Sequence, residues 1–167
     1  MVTPIFKQSY RGGGMPKVKV KQVDSYIYRK TENGPVFLML KRSPGKYYEH
    51  LWQGVAGKIE KGETATQTII RELNEETGMK PKTLFAADHI ASFYDVRKDC
   101  ILMVPIFGIE VENYEVQLSD EHSEYKWVSF EEASTLLTWK GQKEGLKIIY
   151  DEITCGDDRT KWSGIKL

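Results

Sequence analysis

The chain is poor in cysteine, in histidine and in long apolar runs. Only Cys100 and Cys155 occur among its 167 residues, with three histidines. They form no C-x-x-C or Cys/His cluster, which excludes a zinc finger and a disulfide framework. Reduced thiols in a cytoplasmic protein are the expectation. No apolar run approaches the ~18 residues of a membrane helix, and the opening MVTPIFKQSYRGGGMPK has no continuous hydrophobic segment of the kind that directs secretion. An excess of one charge is missing too. Twenty-four Lys and Arg balance 24 Asp and Glu, so no overall field draws the protein to a nucleic acid polymer or to a membrane. Gly12 to Gly14 are not followed by the G-K-[ST] of a phosphate loop. Residues 1–17 are expected to form a flexible arm, 18–154 one domain, and 155–167 a loose tail. A chain this long, 40% hydrophobic, can bury one complete core and not two.

Acid is concentrated in one stretch, residues 57–79, GKIEKGETATQTIIRELNEETGM. Thr64 followed by Gln67 is a capping box, and Gly78 followed by Pro81 is a stop, so a helix is predicted from about 65 to 77. At about 100° per residue, Thr66, Ile69 and Ile70 fall within about 60° of Leu73 and make the predicted buried stripe. Glu72 and Glu76 stand one turn apart at its edge, with Glu75 further round. Two carboxylates about 6 Å apart repel by nearly 3 kcal/mol at an effective dielectric of 20, so helix stability alone does not select this pattern. Oxygen ligands suit a hard divalent cation, Mg²⁺ or Mn²⁺, which would offset the repulsion. Arg71, four residues before Glu75, can pair with it and hold that side of the helix. Glu63 reads mainly as a loop acid pairing with a nearby cation. Gly57 is either a plain loop glycine or a site of close backbone approach.

The spacing G-x5-E-x7-R-E-U-x-E-E-x-G-U, carried here by Gly57, Glu63, Arg71, Glu72, Leu73, Glu75, Glu76, Gly78 and Met79, resembles the signature of the Nudix hydrolases. Seven fixed and two aliphatic positions would match by chance with a probability of roughly 10⁻⁹ at a given start. The resemblance implies an α/β/α sandwich with a mixed β-sheet between helices, an α+β fold. It also implies hydrolysis of a nucleoside diphosphate linked to another moiety, with metal held by Glu72, Glu75, Glu76 and the Gly57 carbonyl. Further along, Glu121-His122-Ser123-Glu124-Tyr125-Lys126-Trp127 is similar to a loop of the dATP and dihydroneopterin triphosphate pyrophosphohydrolase branch in which the glutamate binds metal. That likeness makes Glu121 a candidate distal ligand or base. Lys140-Gly141-Gln142 departs from the branch, so its substrate contacts cannot be carried over.

Around this segment, 18–29 and 36–42 read as strands joined at Asn33-Gly34, and 84–95 and 100–112 as a second pair with Pro105 marking a bulge or an edge. A short strand at 125–128 precedes a helix capped by Ser129, and the last helix covers about 141–153. The candidate catalytic residues are Glu72, Glu75, Glu121 and Arg71. Candidate metal ligands are Glu72, Glu75, Glu76, Glu121 and Gly57. Arg42 and Lys41, at the end of a central strand, could contact phosphate or simply be solvated. Trp52 and Tyr94, with Tyr47, Tyr48, Phe93 and Trp139, could stack on a base or pterin, or could pack structurally. The leading expectation is a Mg²⁺-dependent pyrophosphohydrolase, monomeric or homodimeric, acting on a nucleoside triphosphate such as dATP or on dihydroneopterin triphosphate. The alternatives are a Nudix hydrolase of ADP-ribose, a dinucleoside polyphosphate or another nucleoside diphosphate derivative, and a non-catalytic nucleotide sensor. The acids bind the phosphates all these share and do not separate them.

Overall fold

The computed structural model describes residues 15–155, 161 and 163–167; the predicted arm falls outside them up to residue 14. In chain order the elements are β1 (Lys17–Lys19), β2 (Gln22–Thr31), β3 (Gly34–Arg42), β4 (Trp52–Gln53), β5 (Val55–Lys58), α1 (Ala65–Thr77), β6 (Thr83–Asp95), β7 (Cys100–Glu110), β8 (His122–Val128), α2 (Phe130–Leu136) and α3 (Lys140–Thr154). All eight strands join one mixed sheet: β7 runs parallel to β1 and β2, and the other pairings are antiparallel.

Period-two alternation sorts the strand residues onto two faces. Val23 and Ile27 of β2 and Leu38 and Leu40 of β3 pack with Ile69 and Leu73 of α1. Tyr26, Tyr28, Phe37 and Met39 point the other way and pack with Ala133 of α2 and Leu146 and Ile149 of α3. The sheet therefore lies between α1 and the α2/α3 pair, the α+β sandwich expected from the sequence. Its central strand is shared unevenly. The first half of β2 (Gln22–Ser25) pairs with β5, while its last residues (Tyr28–Thr31) pair with β3. The sheet forks between them, and the fork opens beside α1.

Three departures from the sequence reading have local causes. The strand predicted over 18–29 is broken at Val20 and Lys21, where the chain passes from pairing with β7 to pairing with β5 and the Lys21 carbonyl accepts from Ile59 N at 3.0 Å. β1 consequently pairs with β7 alone among the described strands. The last residues are not wholly loose: Gly164 bridges Phe85, Ile165 N donates to Leu84 O at 2.8 Å, and the Ile165 side chain packs on the α1-side core. Pro105 lies in the interval of β7 between its β1 and β2 pairings, opposite a register shift in β6 between Ala86 and Ile90. An imide without N–H is tolerated where the ladder is interrupted.

Candidate active site

The acid-bearing helix starts and stops where its caps dictate. Thr64 Oγ1 accepts from Gln67 N and Gln67 Oε1 accepts from Thr64 N (3.2 and 2.9 Å), and Gly78 closes the helix at φ 70° with its N–H on Asn74 O at 2.8 Å. The buried stripe is wider than predicted. Ile69, Leu73, Glu76 and Thr77 are buried, Thr66 and Ile70 only half so, and Thr68 is buried on the opposite flank. Thr68 owes this to Glu63, whose carboxylate folds over it and accepts from Thr68 Oγ1 at 2.8 Å.

Arg71 organises that flank. Its guanidinium donates to both Glu63 oxygens (2.8 and 3.1 Å), to Glu72 (2.8 Å), to Glu75 (3.0 Å) and to Lys58 O (3.1 Å). Hydrogen bonds from Arg71, then from Thr68, hold the Glu63 carboxyl down at about 2. A planar fork shared in this way fixes the end of β5 and the orientation of two helix acids at once. Arg71 thus ties Glu63, Glu72 and Glu75 to the end of β5.

Gly57 faces Glu72 across this junction. A Cβ there would stand 2.0 Å from Glu72 Cδ and 2.0 Å from its Oε1, so the glycine is needed for close approach of backbone and carboxylate. Glu76, one turn on, is 4% exposed, and its Oε2 has no hydrogen-bond partner. Burial first, then the neighbouring charges of Glu72 and Glu121, push its carboxyl up to about 9, with Arg42 pulling the other way. Burial also raises Glu72, against Arg71. A buried carboxylate oxygen left without a donor is costly unless protonated or bound to a cation.

Glu121 enters from the start of β8, where β3 ends. Its Oε2 lies 2.5 Å from Arg42 Nη1, and Arg42 also donates to Tyr47 O at 3.3 Å. His122 beside it is buried, with Nε2 3.3 Å from Gln53 Nε2 and Nδ1 without a partner. Burial and then Arg42 lower its pKa to about 4, so the ring is neutral at pH 7. Among the described residues no three carboxylates or imidazoles converge as positioned, since Arg71 lies on Glu72 and Glu75 and Arg42 on Glu121. The donor chemistry nonetheless fits a hard divalent cation: carboxylate oxygens throughout, one of them buried and unpartnered, and a backbone brought close by a glycine.

The four predicted substrate contacts are not gathered together. Arg42 is in the acid cluster. Lys41 pairs with Glu124 at 2.7 Å and, with Lys126, lies over the Trp52 ring, so Lys41 and Trp52 form a group apart from Arg42. Tyr94 pairs in register with Ile101, and its hydroxyl donates to Asp99 at 2.6 Å. An exposed aromatic group is instead built by Tyr47, Tyr48 and Trp139, with ring centroids 4.1 and 5.8 Å apart. Arg97 from the β6–β7 hairpin lies over Tyr47 at 4.8 Å and donates to its hydroxyl. Tyr48 and His50 hold left-handed backbone, φ 62° and 65°, a strain that tends to collect in ligand-binding loops. Asp24 escaped the sequence reading. It is buried on the Tyr26 face of β2, accepts from Ser25 N at 2.9 Å, and is pushed up to about 7 by burial. An aspartate inside the apolar run Val23 to Ile27 was the available signal. A cavity of about 620 Å³ lined by Tyr28, Lys30, Glu110 and Ile153 shares no residue with this cluster.

Comparison with known proteins gives the family. A family model described as the NUDIX domain matches residues 19–149. The chain belongs to the NUDIX family. Among curated proteins it is similar to a bis(5′-nucleosyl)-tetraphosphatase (asymmetrical) of Caenorhabditis elegans, 33% identical over 117 residues, which are 68% of this chain and 82% of that one. A solved structure of a C. elegans Ap4A hydrolase binary complex superposes with a TM-score of 0.67 at 25% identity, covering 83% of this chain and 100% of that chain. The Escherichia coli dihydroneopterin triphosphate pyrophosphohydrolase gives 0.65 at 21% identity, covering 83% and 99%, a likeness of fold alone. NUDIX membership makes the protein a pyrophosphohydrolase acting on phosphoanhydride bonds. The narrower dATP and dihydroneopterin triphosphate branch is not established by these likenesses.

Proposed function

We propose that the protein is a Mg²⁺-dependent hydrolase of dinucleoside polyphosphates, with a dinucleoside tetraphosphate favoured over nucleoside triphosphates and dihydroneopterin triphosphate. Glu76 carries the hydrolytic reading: a buried carboxyl with an unpartnered oxygen, beside the neighbouring acids Glu72 and Glu121, where a cation would favour its charged form. Similarity to the tetraphosphatase and to the Ap4A hydrolase supports the substrate class.

In this reading Glu72, Glu75 and Glu76, with Glu121 and the Gly57 carbonyl, hold the cation. When bound, the cation neutralises phosphate oxygens and acidifies water. The chain's own groups do the rest. Arg71 keeps Glu72 and Glu75 aimed, Arg42 meets phosphate once it leaves Glu121, and Glu121, exposed at the mouth, takes the proton of the attacking water. Tyr47, Tyr48 and Trp139 offer stacking faces for a base.

The test is a hydrolysis screen with Mg²⁺ over dinucleoside polyphosphates, NTPs, dNTPs, dihydroneopterin triphosphate and ADP-ribose, with products resolved. Highest kcat/KM on a dinucleoside tetraphosphate is expected. Preference for dATP or the pterin restores the triphosphate reading, and no turnover of any of them favours a sensor.

A further inference from the structure

One buried acid is used by none of the chemistry above. Asp24 stands in the apolar run Val23 to Ile27 of β2, is 9% exposed, and takes a single hydrogen bond among the described residues, from the N–H of Ser25 beside it at 2.9 Å. A carboxylate buried for the sake of the fold is normally met by a cation or by several donors. Here one oxygen is left to accept from something else. Service to the fold is the plain alternative, and it does not account for an acid where an apolar side chain would pack without the desolvation cost.

What lies over Asp24 follows from the contacts of the segment that opens α3. Asp24 faces the α3 side, with Tyr26 two residues on and with Ala56 of β5 and Ile106 of β7 as its register partners. Leu137 bridges Trp52 of β4, and a Cβ on Gly141 would lie 3.6 Å from the Ala91 Cβ of β6. Between β4 and β6 stand β5, β2 and β7. Residues 137–141 therefore cross above these strands, and Trp139, midway, passes over the β2–β5 pair. One turn further on, a Cβ at Gly145 would meet Ile106 and Tyr26 at 2.5 and 3.2 Å. The Tyr26 hydroxyl donates to Gln142 O at 2.6 Å, and the buried Gln142 Oε1 has no hydrogen-bond partner. Asp24 thus lies at the floor beneath Trp139 and its neighbour Tyr48, where the two open groups are both acceptors.

This floor is joined to the acid cluster. Ala56 adjoins Gly57, and the charge of Asp24 bears on the Glu76 carboxyl. Arg42, which holds Glu121, also donates to the carbonyl of Tyr47 beside Tyr48. A nucleotide held at the acids by its phosphates has its base within reach of Asp24. We propose that Asp24 is a specificity-determining residue that reads this base, accepting from the adjacent N1–H and N2–H₂ donors of guanine and so favouring guanine over adenine nucleotides. The matching edge of adenine offers a ring-nitrogen acceptor at N1, which a carboxylate repels. This rests on the nucleotide polyphosphate reading of the site and names the base.

The experiment compares wild type with Asp24→Asn, which keeps the shape and turns one acceptor into a donor. With Mg²⁺, kcat/KM is measured on diguanosine and on diadenosine tetraphosphate, and binding of GMP and AMP, which contain no phosphoanhydride, is followed by NMR titration. Wild type is expected to favour guanine roughly tenfold or more in both assays, and Asp24→Asn to lose that preference, mainly through KM. Equal use of the two bases by wild type, or a preference for adenine, overturns the proposal. So does an unchanged guanine-to-adenine ratio in Asp24→Asn, because a loss shared by both bases marks an acid that serves the fold or the helix acids. Should Asp24→Asn not fold, Asp24→Thr is read on the same ratio. If wild type cleaves neither tetraphosphate, the substrate-class reading falls by itself, and the base reading is judged by GMP against AMP, where equal affinities sink it.

Discussion

Gly57→Ala separates catalysis from folding more sharply than any other single change here. The added Cβ would sit 2.0 Å from Glu72 Cδ and Oε1 and 2.3 Å from Cγ. Ordinary contact begins near 3.5 Å, so the carboxylate must retreat by about 1.5 Å. The retreat breaks the 2.8 Å pair with Arg71 and carries Glu72 out of line with Glu76. Because what yields is a flexible side chain and not backbone, the folded state loses one partly exposed ion pair, about 1 kcal/mol or less, and Tm should fall by only a few degrees. Misplacement of a reacting-site group by about 1 Å costs on the order of a hundredfold in rate, or about 2.7 kcal/mol in the barrier. The assay is steady-state kcat/KM on a dinucleoside tetraphosphate with Mg²⁺, run beside thermal denaturation of the same sample. Wild-type kcat/KM would refute the close-approach argument, and so would loss of activity that merely tracks loss of fold.

Other changes probe neighbouring parts of the argument. Glu76→Gln should lower turnover at least about a hundredfold while the protein stays folded, because it removes charge at the cation site; circular dichroism and kinetics read the two effects. In a chelator, stability should fall as pH rises from about 4.5 to about 9. The buried Glu76 carboxyl keeps in the native state a proton that the unfolded chain has lost, so the slope is negative, at most about 1.4 kcal/mol per pH unit. Urea midpoints across that range should show this decline, and Glu76→Gln should flatten its upper part. Trp139→Ala should raise KM for nucleotides severalfold with little change in Tm, since the ring is 49% exposed; an unchanged KM removes it from recognition. Gly108→Ala should lower stability by about 1–3 kcal/mol without touching the site, because its Cβ would stand 2.3 Å from the buried Phe85 ring.

What could be read beforehand follows the range of the interactions involved. The bounds of α1 were legible because Thr64, Gln67 and Gly78 act within one helical turn of themselves. The Arg71–Glu75 pair was legible for the same reason. Thr68 was not, since its burial depends on Glu63 folding back from the preceding loop. The fork of β2 between β5 and β3, which opens the site, depends on pairings across tens of residues and has no local signature. Arg42 and Lys41 looked equivalent at the end of one strand, yet the register shift between them sends one to Glu121 and the other to Glu124. Tyr94 and Phe93 differ by one position, and in a strand one position reverses the face. Asp24 was overlooked because a lone acid in a strand carries weight only once its burial is known.

The central claim is that the helix acids and the Gly57 carbonyl gather one or more divalent cations against a polyphosphate. Anomalous diffraction from crystals grown with Mn²⁺ tests it most directly. The account predicts a peak within ligand distance, about 2.0–2.3 Å, of Glu72 and Glu76 carboxylate oxygens, and its loss in Glu76→Gln crystals. Manganese bound elsewhere, with none beside Glu76, would contradict it.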